Sequence, residues 1–135
     1  LSRFSEFLWD NKLMWMENAK DIVRIDSPNE LWFEETMVGR DLPDGRKRYV
    51  IPVVIPAPFE RFYTERFGEL PEPLKEPAPV EVKIPEGFSR GTATALVSAP
   101  EAAAVELKAE ADGDLLRFDL PPMRLFTVLV VEFEK

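Results

Sequence analysis

Residues 124–134 read Arg124-Leu-Phe-Thr-Val-Leu-Val-Val-Glu-Phe-Glu134. Taken with a period of two, Leu125, Thr127, Leu129, Val131 and Phe133 share one face. Phe126, Val128 and Val130 share the other, which ends in Glu132 and Glu134. β-branched and aromatic side chains dominate and neither Gly nor Pro interrupts them, so the stretch predicts a long β-strand. Both faces are apolar through its middle, a pattern that suits a central strand covered on both sides.

Working back from that strand, the same period recurs. Leu116, Phe118 and Leu120 alternate with polar residues between an Asp112-Gly113 turn and Pro121-Pro122. Val105, Leu107 and Ala109 alternate with Glu106, Lys108 and Glu110, and residues 91–98 form a strand of small and β-branched residues. Val80, Val82 and Ile84 alternate with Glu81 and Lys83, a strand with one wet face. Tyr49-Val-Ile-Pro-Val-Val-Ile55 is apolar on both faces, and Pro52, which has no amide donor, is expected at a sheet edge or bulge. Pro43-Asp44-Gly45 marks the turn before it, while residues 31–37 and 22–25 read as two earlier strands. Residues 57–79 form a Pro-rich crossing between sheets, pinned by Phe59, Phe62, Tyr63 and Phe67.

About eight strands at short intervals with no helix between them predict an all-β fold, an antiparallel two-sheet β-sandwich of immunoglobulin-like or Greek-key type. Ahead of it, Phe4, Phe7 and Leu8 at i, i+3 and i+4 predict a short N-terminal helix. The chain opens on Leu1 inside that pattern, which reads as a cut from a longer protein. Residues 1–12 are therefore assigned to the end of an upstream helix or linker, and residues 13–135 to the sandwich domain.

Composition narrows the chemistry. A hydrophobic fraction of 45%, with ten Phe, three Trp and two Tyr, excludes a disordered chain. A formal charge of −8 argues against nucleic acid or an anionic membrane as partner. The short basic run Arg46-Lys47-Arg48 follows a turn and reads as a solvated strand end. No apolar run reaches the roughly 18 residues of a membrane helix, no signal peptide is visible, and the compartment is not legible. With no cysteine and no histidine, thiolate metal sites, disulfides and the commonest general base are all missing.

Carboxylates are plentiful, with 25 Asp and Glu, so an acid pair must be weighed. Glu34 and Glu35 are neighbours on an expected strand and would point to opposite faces. Glu132 and Glu134 share a face, but at a strand end where solvation is the default. Asp112, Asp114 and Glu110 could be drawn as oxygen ligands to a cation, yet an Asp-Gly hairpin accounts for them, and no metal or cofactor is assigned. The tryptophans are the remaining candidates. Trp32 shares its expected face with Glu34 and Thr36, which makes it the first candidate for stacking against a sugar, with Trp15 second. Phe4, Phe7, Trp9, Phe126, Val128 and Val130 are the candidates for a contact with a neighbouring domain.

The order of pieces resembles the C-terminal β-sandwich of multidomain glycoside-hydrolase-like proteins of the dextranase-related group, in which it follows a catalytic (β/α)8 barrel. The residues that carry the likeness are Phe4-Ser-Glu-Phe-Leu-Trp-Asp10, Tyr49 to Ile55, Val80-Glu-Val-Lys-Ile-Pro-Glu-Gly87, Ala95-Leu-Val-Ser-Ala-Pro100 and Leu116 to Glu132. The Pro-rich residues 57–79 depart from it. The resemblance implies that catalytic residues lie on the barrel and none lies here. It makes this chain a non-catalytic accessory domain that packs against and stabilises that partner. A carbohydrate-binding module using exposed aromatics is the alternative, and a homo-oligomerisation module the second alternative.

Overall fold

The computed structural model describes residues 14–16, 19–34, 36–56, 73–97, 102–124 and 126–135. Its elements are β1 (Met14–Trp15), α1 (Ala19–Ile22), β2 (Val23–Ile25), β3 (Val38–Asp41), β4 (Lys47–Val54) and β5 (Ala78–Lys83). They continue with β6 (Arg90–Val97), β7 (Ala103–Leu107), β8 (Glu110–Asp112), β9 (Leu115–Leu120) and β10 (Phe126–Glu134). A six-stranded sheet in the order β1-β3-β4-β10-β6-β7 faces a four-stranded sheet in the order β2-β5-β9-β8, and all the pairings are antiparallel. This is the predicted sandwich. Three hairpins, β3–β4, β6–β7 and β8–β9, stay within a sheet, and the other connections change sheet. The helix expected over residues 2–9 and residues 57–72 of the crossing expected over 57–79 lie outside the described residues; the last two residues of that crossing, Ala78 and Pro79, already belong to β5.

β10 sits at the centre of the larger sheet. Leu129 lies opposite Ile51 of β4 on one side and Ala95 of β6 on the other. Leu129, Val131 and Phe133 point inward with Tyr49, Ile51 and Val53 of β4. There they meet Val80, Val82, Leu116, Phe118 and Leu120 of the four-stranded sheet in one buried cluster. The opposite face of β10 is covered too. Val128 and Val130 join Val50 and Leu96 in a second cluster, with Val38 packed against it. Apolar residues on both faces are thus explained, because each face is removed from water within the chain.

The smaller sheet shows the one-sided pattern predicted for β5. The inner residues of β5 and β9 are buried, and the outer face of the sheet carries Arg24, Glu81, Arg117 and Glu110 in one row across all four strands. Arg117 Nε lies 3.0 Å from Glu81 and Nη1 2.8 Å from Asp112. Such exposed pairs add only about 0–1 kcal/mol each and mark a solvated surface.

Three expectations are corrected. Residues 31–37 do not form a continuous strand: among the described residues Trp32 makes an isolated bridge to Val54, the Met37 carbonyl accepts from the Met16 amide at 3.0 Å, and the next strand begins at Val38. Ile22 closes α1, so β2 begins one residue later than the apolar run suggested. β4 is an internal strand in spite of Pro52, flanked by β3 and β10. The reason is local, and it shapes the candidate site below.

One side chain in the core is out of keeping with its surroundings. Thr127 is buried on the inner face of β10, and among the described residues its Oγ1 is the buried side-chain polar atom without a hydrogen-bond partner. A buried, unsatisfied hydroxyl costs about 1–3 kcal/mol. Thr127→Val keeps the β-branched shape and is expected to raise stability by roughly 1 kcal/mol in urea denaturation. Loss of stability in that variant would show that the hydroxyl has a partner.

Candidate functional site

Proline at position 52 determines where the surface opens. Trp32 and Val54 exchange both backbone bonds, at 2.8 and 2.9 Å, and β3 rejoins β4 at the Val38–Val50 pair. Position 52 falls midway between these two pairings, where a continuous neighbour would need its N–H. Proline has none. The chain from Phe33 to Met37 therefore leaves the sheet, and the Pro52 carbonyl on that side is met by the Thr36 hydroxyl at 3.3 Å. A turn from the Thr36 amide to the Phe33 carbonyl, 3.4 Å, closes the excursion. Phe33 and Met37 anchor its two ends in the core.

The excursion encloses a concavity of about 420 Å³, lined by Trp32, Phe33, Glu34, Thr36 and Val54. Trp32, Glu34 and Thr36 were expected to share a strand face. They converge here for a different reason, a break in the ladder. Trp32 is 59% exposed, and its indole N–H donates to Glu30 Oε1 at 3.2 Å. Two backbone bonds hold the main chain of Trp32, and one side-chain bond ties the edge of its indole, while much of the residue stays open to water.

The same strand end carries further exposed apolar residues. Phe126 of β10 lies opposite Val54 of β4, which is bridged in turn to Trp32. Val54 and Phe126 are 38% and 39% exposed. Of the other contact candidates, Val128 and Val130 are covered inside the chain, as described above. Trp15 of β1 pairs through its backbone with Val38 of β3, its side chain being outside the described residues, as are Phe4, Phe7 and Trp9.

At the opposite end of the sheet, charge replaces apolar surface. Glu132 accepts from Arg48 Nε at 2.8 Å and from Arg46 Nη1 at 3.4 Å, and Arg48 Nη2 lies 2.7 Å from the same carboxylate. The Arg48 side chain is only 12% exposed, so the basic run is closed onto an acid rather than simply solvated. Arg46 also binds Asp44 at 2.7 Å; its backbone and side-chain N–H groups hold the Asp44 carboxyl below the usual carboxylate range. Glu134 pairs with Arg90 at 3.0 Å. Glu132 and Glu134 are therefore held in separate ion pairs, and the carboxyl groups do not converge on a shared cleft. In the β8–β9 hairpin, Gly113 has a φ of 63° at the first loop position, as a type II′ turn requires, and Asp112 is engaged by Arg117.

Fold and site together define the chain as an antiparallel β-sandwich with one charged end and one aromatic end bearing an open concavity. No protein-family model matches the sequence, and no curated protein matches it. Among solved structures, the chain is similar to alpha-L-fucosidase isoenzyme 2 from Paenibacillus thiaminolyticus, with 17% identity and a TM-score of 0.51. The match covers 87% of this chain and 16% of that one, so the chain spans a small part of the length of its structural neighbour. At this identity the likeness speaks for the fold alone.

Proposed function

We propose that this chain is a non-catalytic accessory sandwich of a larger carbohydrate-active protein, and that it stabilises a catalytic domain of the same polypeptide by leaning on it. The observation that carries the reading is the polarity of the six-stranded sheet. Its charged end is closed in ion pairs, whereas Val54 and Phe126 at the other end expose adjoining apolar surface of the kind that marks a contact. A glycosidase as structural neighbour, with a sandwich occupying a small share of its length, supports this reading.

Deleting residues 13–135 from the full-length polypeptide is expected to lower the melting temperature of what remains. Phe126→Asp is the finer test. It places a charge on the contact surface and is expected to lower the full-length melting temperature by several degrees, at roughly 2–4 °C per kcal/mol for a domain of 150–250 residues. The isolated 135-residue chain should melt unchanged. An unaltered melting temperature in both full-length variants would overturn the docking role. A concentration-dependent dimer in sedimentation would instead assign the same surface to self-association.

A further inference from the structure

We propose that the concavity beside Trp32 binds a neutral pyranose residue of a glycan, with the indole as stacking platform and Glu34 and Thr36 as its hydrogen-bonding rim. The inference relies on the accessory-domain reading only for the supply of glycan; the site itself is argued from its own geometry.

Exposure is the first argument. Among the described residues Trp32 is the most exposed of the large apolar side chains, although Phe33, its neighbour in sequence, is 8% exposed. An indole left in water beside a buried phenylalanine is surface available for a ligand. Order is the second. The backbone bonds to Val54 hold the main chain, and the indole bond to Glu30 restrains the ring before any ligand arrives, so less freedom is lost on binding. Size is the third. The concavity of about 420 Å³ falls in the roughly 300–1,000 Å³ range of small-ligand sites, with an apolar wall of Phe33 and Val54 and two polar groups at its margin.

The polar groups select the ligand class. A carboxylate, the side chain that Glu34 brings, accepts hydrogen bonds and donates none. The Thr36 hydroxyl proton is directed to the carbonyls of Phe33 and Pro52, both at 3.3 Å, which leaves its lone pairs to accept. A rim of acceptors calls for a ligand rich in donors, and adjacent sugar hydroxyls can give a carboxylate two hydrogen bonds. The C–H face of a pyranose ring matches the flat indole. Glu30 and Glu34 beside the ring, on a chain of net charge −8, disfavour uronate and sulfated sugars. They disfavour nucleic acid as well, whose bases would stack but whose backbone is anionic.

The test is calorimetric titration of the 135-residue chain with a panel of neutral oligosaccharides and their uronate counterparts. Saturable binding of at least one neutral glycan is expected, with its uronate counterpart at least about tenfold weaker. Trp32→Ala should weaken binding by about tenfold or more, roughly 1.4 kcal/mol, with an unchanged melting temperature. Glu34→Gln should weaken it severalfold, and decides the matter if Trp32→Ala does not fold. The glycan titration is made on the isolated 135-residue chain and the docking test on the full-length polypeptide, so failure of the docking role and failure of this site give different results. No saturable heat with any neutral glycan, or equal affinity in wild type and Trp32→Ala, would overturn the proposal.

Discussion

Phe133→Ala is expected to destabilise the chain by about 3–5 kcal/mol, the range for emptying a buried aromatic site. Phe133 has no exposed surface and lies near the end of β10, where both sheets meet its ring. It packs edge-on against Tyr49, with centroids 5.1 Å apart and planes at 72°, a geometry worth about 0.5–1.5 kcal/mol beyond area burial. Burial also pushes the Tyr49 phenol up from its usual value, as expected where water is excluded. Urea denaturation measures the effect. A loss under about 1 kcal/mol would mean that the core collapses onto the gap.

The second large effect is expected at Gly91, directly opposite Phe133 on β6. A Cβ built there would stand 3.0 Å from the Glu132 carbonyl oxygen, 3.0 Å from Phe133 Cδ1 and 3.1 Å from Leu116 Cδ2. The first of these is backbone in the central strand and cannot move aside. Gly91→Val should therefore cost about 1–3 kcal/mol by overpacking, despite the higher strand propensity of valine. Gly39→Ala is the informative contrast, because there the close atom at 2.9 Å is the sulfur of Met16, the far end of a flexible side chain. Combining Gly91→Ala with Phe133→Leu should cost less than the sum of the single changes, since both act on one shared space. Strict additivity in that cycle would contradict the packing described here.

These two residues also show how far the sequence could be read. Phe133 was placed correctly on the inner face of the last strand, because a two-residue period over nine residues leaves little choice of face. The wet face of β5 and the turns at Gly45 and Gly113, with φ of 90° and 63°, were legible for the same reason: strand and turn chemistry is written in adjacent residues. Gly91 reads only as the first of a run of small strand residues, whereas its role is to admit a ring from a strand 42 positions away in sequence. The Arg48–Glu132 pair spans 84 positions and gave no local signal. The concavity was half visible. Trp32, Glu34 and Thr36 stood out as a face of alternating residues, but nothing within residues 31–37 indicates that they leave the sheet. The cause lies in Pro52, which becomes the neighbour of that segment only once the chain has folded.

A missing N–H at position 52 thus separates two duties within one edge of the molecule. Between its two buried anchors, Phe33 and Met37, the segment is released from the β4 ladder, so a position such as Glu34 can be altered without asking the sandwich to find new partners. Whatever this loop comes to recognise, the cost of changing it is borne by a few side chains and not by the ladder beneath. Restoring the donor with Pro52→Val would invite the loop back onto the sheet, closing the cleft and trading adaptability for one more rung.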